Sequence, residues 1–161
     1  MISNTKIYTD GSCNTRLHIG ACVAIFFVDD EKIVLSETFS DTTHQRMELA
    51  APIMALNYIL QHFKKVNKVE LHSDSQYVAK FKNRADNIAL KNYITSKGNE
   101  IRNIDLIKRW IQLNKNFSIT TIKMKAHQKM ADETQYNIEA DKLSRKLVRG
   151  AVNKMIKTQN I

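Results

Sequence analysis

Residues that break chain regularity are scarce. One proline and four glycines occur in 161 residues. That excludes collagen-like, proline-rich and glycine-rich linker architectures and leaves no composition break at which to divide the chain. Two cysteines, Cys13 and Cys22, are too few for a disulfide framework, so the chain must fold on its own core. No apolar run approaches the ~18 residues of a membrane-crossing helix, and no signal-like segment opens the chain. Acidic residues are also in deficit: 16 against 25 Lys and Arg, a formal net charge of +9. A surplus of that size favours polyanionic partners, nucleic acid first. The plain alternative is a basic surface that only confers solubility.

What is present supports one domain over residues 1–161. A hydrophobic share of 43% is enough for a core without structural metal. Cys13, His18 and Cys22 lie close together, but three ligands without a fourth on an expected hairpin match zinc poorly. Ordinary thiols in a reducing, cytoplasmic setting are expected.

The predicted order is three strands, a helix, a strand, helices, a strand and a last helix. Lys6 to Ser12, Gly20 to Val28 and Lys32 to Phe39 have strand composition, with Asp29-Asp30-Glu31 as a hairpin turn. Thr42 to about Lys65 predicts a long helix with Thr42 and Gln45 at capping-box spacing. Its apolar face is Met47, Ala50, Ile53, Met54, Leu56 and Leu60, and Pro52 predicts a kink beside Glu48. Lys68 to Ser73 is a short strand leading into Asp74-Ser75-Gln76, a helix start. Residues 80–109 are expected to be mostly helical, and Phe117 to Lys125 alternates as a strand. Thr134 to about Lys154 predicts a final helix with Tyr136, Ala140, Leu143 and Leu147 on one stripe and a tail over 155–161. Strands followed by alternating helix and strand imply a mixed α/β sheet with helices on both faces.

Four acids sit where strands end or helices begin: Asp10, Glu48, Asp74 and Asp141. Each has a plain reading, respectively a turn, a helix-dipole partner, an N-cap and a solvated helix residue. In an open α/β sheet, however, strand ends and helix starts meet along one edge. Four carboxylates gathered there would resist ionising together. Divalent cations remove that conflict, and magnesium or manganese suits oxygen donors. Two such ions can clamp the attacking water and the leaving oxygen of a phosphoryl displacement.

At these residues the chain resembles type 1 ribonuclease H. Ile7-Tyr8-Thr9-Asp10-Gly11-Ser12-Cys13 is similar to that family's opening strand, and Thr42 to Leu49 to the helix carrying its second acid. Ser73 to Val78 resembles its third-acid motif and Asn103 to Leu106 the start of a later helix. Lys125-Ala126-His127 resembles its catalytic loop, and Asn137 to Asp141 its last-acid helix. The blocks occur in family order over about nine-tenths of the chain.

The resemblance implies a five-stranded mixed sheet with the second strand antiparallel to the rest. It implies endonucleolytic hydrolysis of the RNA strand of an RNA/DNA hybrid, leaving a 5′-phosphate and a 3′-hydroxyl. Asp10, Glu48, Asp74 and Asp141 would hold two Mg²⁺ ions, with Mn²⁺ able to substitute. His127 would assist proton transfer or product release, as a group titrating near neutrality can. The implied substrate-binding residues are Gly11, Ser12, Cys13, Thr43, His44, Gln45, Ser75, Gln76 and Asn137. The basic run from Lys80 to Arg109 resembles the family's hybrid-gripping protrusion; a charged helix surface balanced by Asp86, Glu100 and Asp105 is the alternative. Tyr93 would add stacking there, whereas Trp110 is expected in the core.

Three departures stand out. Asn14 to Ile19 replace a glycine-rich turn, His44 stands where asparagine is common, and the stretch from His127 to Asp141 is a few residues longer than in the common bacterial form. A catalytically silent hybrid-binding module, and an integrase- or transposase-like enzyme acting on DNA, are the alternatives from other classes. The nuclease domain of a retroelement polyprotein is a third, although Met1 just ahead of the first strand favours a free-standing enzyme. No membrane contact and no obligate protein partner are expected, which suits a monomer.

Overall fold

The computed structural model describes residues 3–125, 129–132 and 134–159. The strands are β1 (Ser3–Asn14), β2 (Ile19–Val28), β3 (Glu31–Phe39), β4 (Val66–Ser73) and β5 (Ser118–Lys123). The helices are α1 (His44–His62), α2 (Gln76–Ala79), α3 (Phe81–Leu90), α4 (Ile104–Asn114) and α5 (Gln135–Gln159). The strands form one sheet in the order β3-β2-β1-β4-β5. β2 runs antiparallel to both of its neighbours, while β1, β4 and β5 are mutually parallel. This is the mixed sheet that the resemblance implies.

Local chemistry explains the hairpins. Val28 pairs with Glu31, and Asp29 and Asp30 between them both have positive φ, as a tight two-residue hairpin requires. At the β1–β2 turn, Asn14 Oδ1 accepts from the amides of Arg16 and Leu17 at 3.1 and 3.0 Å. The asparagine side chain does with hydrogen bonds what a glycine-rich turn does with backbone freedom.

α1 starts one residue later than the expected capping box. Thr43, not Thr42, caps it, accepting from the Arg46 amide at 3.2 Å. Thr42 is instead buried, with its methyl close to Gly20. The helix continues through Pro52 to His62 and buries Leu49, Ala51, Pro52 and Ala55 beyond the expected stripe, because it is sandwiched between the sheet and α4.

Residues 80–109 are less helical than expected. α3 ends at Leu90, and 91–103 form an irregular loop closed by an Ile94–Glu100 bridge. Asn92 and Tyr93 both have positive φ, which stops the helix. Thr95 and Asn99 then tie the turn together, the Thr95 amide donating to the Asn99 carbonyl at 2.8 Å.

The sheet faces differ. On one, Ile7, Phe26, Leu56, Leu71, Phe81, Trp110 and Leu113 form the main core under α1, α3 and α4, with Trp110 fully buried edge-on to Phe81. On the other lies α5, whose Tyr136, Ala140, Leu143 and Leu147 pack on Tyr8, Val23 and Ile25. That is the expected stripe, but α5 runs to Gln159, so most of the expected tail is helix. Both cysteines are free; Cys22 packs in an apolar cluster with Met47 and Ala51.

Candidate active site

Main-chain packing brings the first two acids together. A Cβ on Gly11 would lie 2.3 Å from the Glu48 amide nitrogen and the Met47 carbonyl carbon. Only glycine lets α1 sit directly on β1, and this contact sets Glu48 beside Asp10. The third acid follows from register. Tyr8 pairs with His72 across the parallel β1–β4 ladder, so Asp74, two residues beyond His72, emerges level with Asp10. The fourth is Asp141, in the second turn of α5, held over β1 by the Tyr136 and Ala140 packing.

The resulting cleft is lined by Asp10, Gly11, Ser12, Cys13, His44, Glu48, Asp74, Ser75, Gln76, Asp141 and Arg145. It thus gathers all four acids and six of the nine expected substrate-binding residues. Thr43 caps α1 and Gln45 is exposed; neither lines the cleft. Asn137 is buried on α5 outside it. His127 lies outside the described residues.

Burial, and after it crowding, raises the carboxyl pKa values of Asp10 and Glu48. Asp10 is pushed up to about 7, by burial first, against the lowering effect of a Ser144 hydrogen bond; Asp74, Asp141 and Glu48 add repulsion. Glu48 is raised as well, by burial first, partly offset by Ser75 and His44 and reinforced by Asp74. Protonation is one escape from four crowded charges, and a divalent cation is the other.

Three of the acids are steadied by neighbours. Ser144 Oγ donates to Asp10 Oδ2. Ser75 Oγ donates to Glu48 Oε2 at 2.7 Å while accepting the Val78 amide as the α2 cap. Arg145 Nε donates to Asp141 Oδ1 at 2.8 Å, and His44 Nδ1 stands 3.5 Å from Glu48 Oε1. Turned toward these neighbours, no three His, Cys, Asp or Glu side chains among the described residues converge to grip an ion as they stand. The donor set nevertheless fits a hard cation: it is all oxygen, with four carboxylates lining one cleft. Ser144 and Arg145 were missed in the sequence. The available signal was their spacing, three and four residues after Asp141, which places them one turn along the helix.

The RNase H family model matches residues 3–149. A ribonuclease H of Clostridium botulinum is 33% identical over 143 residues, covering 86% of this chain and 91% of its own length. A ribonuclease HI of Helicobacter pylori is 33% identical over 122 residues, covering 76% and 80%. Among solved structures, LC9-RNase H1, a type 1 RNase H with the type 2 active-site motif, superposes with a TM-score of 0.74 at 19% identity, covering 93% of this chain and 74% of that one. The PFV RNase H domain gives 0.70 at 23% identity, covering 90% and 94%.

Fold and site together define an α/β nuclease with its acids at one sheet edge. The chain belongs to the ribonuclease H family, on its type 1 branch, and family membership implies cleavage of RNA within RNA/DNA hybrids.

Proposed function

We propose that this enzyme hydrolyses the RNA strand of RNA/DNA hybrids endonucleolytically with two bound Mg²⁺ ions, which Mn²⁺ can replace, leaving 5′-phosphate and 3′-hydroxyl ends. The observation that carries the reading is the single cleft that gathers Asp10, Glu48, Asp74 and Asp141. The bound ions would supply Lewis-acid activation of water and stabilise charge on the leaving oxygen. The chain's own residues do the rest. Asp10, Glu48, Asp74 and Asp141 hold the cations. Ser144, Ser75 and Arg145 fix three of those carboxylates in orientation. Gly11, Ser12, Cys13, His44, Ser75 and Gln76 line the cleft where a backbone would lie, with the exposed Thr43 and Gln45 as outer contacts. His127 exchanges a proton with the leaving group or aids product release. Contacts of this kind recognise hybrid geometry rather than sequence.

The protein acts as one domain over 1–161, as a monomer in the cytoplasm. Two free thiols support a reducing setting, and no described helix is long and apolar enough to cross a membrane. The basic segment around α3 presents Lys80, Arg84 and Lys91 along one hollow, which suits phosphate contacts. Arg84 also lies over the Tyr77 ring, as Lys108 does over Tyr93, and Arg109 bonds Asn57.

The test is cleavage of labelled RNA/DNA, RNA/RNA and DNA/DNA duplexes with and without magnesium, with end analysis of the products. The parent should cut only the hybrid and only with metal. Asp10→Asn should bind the hybrid yet cut it at least ~1,000-fold more slowly, the loss of several kcal/mol of charge stabilisation. Parent-like cutting by Asp10→Asn, or cutting of duplex DNA in place of hybrid, would sink the reading.

A further inference from the structure

The last helix carries a concentration of charge that the catalytic cleft does not use. From Lys142 to the chain end there are six basic residues, Lys142, Arg145, Lys146, Arg149, Lys154 and Lys157, and no acid. The segment 80–109, by contrast, spreads eight basic residues among three acidic ones over a longer stretch. All six α5 cations are exposed. Arg145 holds Asp141, but the other five enter no ion pair among the described residues. Lys142, Lys146 and Arg149 follow each other at four- and three-residue spacing, as do Arg145 and Arg149, so they share the outer face. Like charges at such spacing repel. The row therefore costs the free helix stability, and a polyanion laid along it removes that cost.

The position of α5 matters as much as its charge. The helix runs alongside β1, with Tyr136 and Ala140 at Tyr8 and Ser144 at Asp10. Past the cleft it continues toward the β1–β2 hairpin, where Ala151, Met155 and Thr158 meet Leu17, Ile19 and Phe39 around one hollow. Its far half is thus docked on the sheet. From Asp141 to Lys157 the rise is ~24 Å, at about 1.5 Å per residue. A nucleic-acid strand places about seven phosphates along that length, at ~3.4 Å each.

We infer that the outer face of α5 is a second nucleic-acid track, which holds the phosphates of a strand running on past the cleft toward the β1–β2 hairpin. It begins at Arg145, which lines the cleft itself, and extends the footprint without reading sequence. That the polyanion is the hybrid rests on the proposed function; the track itself rests on charge and placement.

The test uses the whole protein without divalent ions, so that nothing is cut. Affinity is followed against salt for a short hybrid of roughly 8 base pairs and a long one of roughly 20, lengths set by the ~3.4 Å phosphate spacing. The variant combines Lys146→Glu, Arg149→Glu and Lys157→Glu, none of which lines the cleft. On the long hybrid the slope of log affinity against log salt should fall by about 2 to 3, near 0.9 for each phosphate no longer neutralised. On the short hybrid the slope, and cleavage once magnesium is restored, should match the parent, which also reports an intact fold. The corresponding triple glutamine variant should move the long-hybrid slope the same way by less, and covers the case in which charge reversal disturbs folding. A parent-like slope on the long hybrid, or equal falls on both lengths, would overturn the track. A parent that shows the length-dependent slope but never cuts would sink the hybridase reading and leave the track standing.

Discussion

The two faces of the sheet are built for different work. The face under α1, α3 and α4 buries a continuous apolar cluster that includes Val66, Phe81, Trp110 and Phe117. The face under α5 has a much smaller one, centred on Tyr8, Val23, Ile25 and Ala140. Yet α5 supplies Asp141, Ser144 and Arg145 to the site, whereas α1 supplies Glu48 and His44 from the well-packed side. A large core makes one wall of the cleft rigid. A single helix on a small aromatic patch forms the other wall. Stability should therefore follow the first face, and metal affinity and pH response should follow the cleft edge that α5 completes.

The largest effect should come from breaking the well-packed face. Trp110→Ala removes a fully buried ring and should cost about 3–5 kcal/mol, seen as a lower urea midpoint at unchanged slope. KM of the surviving folded protein should stay near the parent value. A loss below about 1 kcal/mol, within the range of ordinary surface changes, would break the contrast.

A second effect belongs to the cleft. An unfolded aspartate ionises near 3.8, whereas Asp10 in the fold is held up to about 7. Between these values the folded chain keeps a proton that the unfolded chain has released. In metal-free buffer, stability should therefore fall as pH rises through this window and level off above 7. At pH 8, Asp10→Asn should melt a few degrees higher than the parent, since about 1 kcal/mol moves Tm by roughly 2–4 °C in a chain of this size. An unchanged or lower Tm would remove Asp10 as the seat of the strain.

The smallest effect sharpens the role of α5. Ser144→Ala deletes the hydrogen bond to Asp10, worth about 0.5–1.5 kcal/mol. Calorimetric magnesium affinity should fall about two- to ten-fold, with kcat at saturating metal much less altered. Equal losses in both would make Ser144 part of the chemistry rather than a residue that orients Asp10.

Regular patterning made most of this fold legible. The strand alternation, the Tyr136–Leu147 stripe and the acids at element ends all carry periodic or positional signals that one sequence displays. What escaped depended on tertiary choices. Thr42 and Thr43 both suit a helix cap, and the burial of Thr42 beside Gly20 decides between them. The loop over 91–103 looked helical from composition, because left-handed backbone at Asn92 and Tyr93 leaves almost no trace in residue type. In the site, the four acids were visible by motif, but Ser144 and Arg145 were not. Serine and arginine on a helix surface are commonplace; Arg145 reaches Asp141 within α5 itself, and only the docking of α5 over β1 turns Ser144 toward Asp10.

Gly11 has a wider consequence. Because the α1 backbone rests on its bare α-carbon, the gap between Asp10 and Glu48 is inherited from main-chain geometry rather than tuned by side chains. The hairpin tip at Asn14–His18 and the cleft residue His44 take no part in that contact, so changes there need not reset the gap. A single added methyl at position 11 would wedge helix from strand and spread the acids. The residue with the least chemistry of its own is thus the site's ruler, and its heritable constraint should outlast that of many residues lining the cleft.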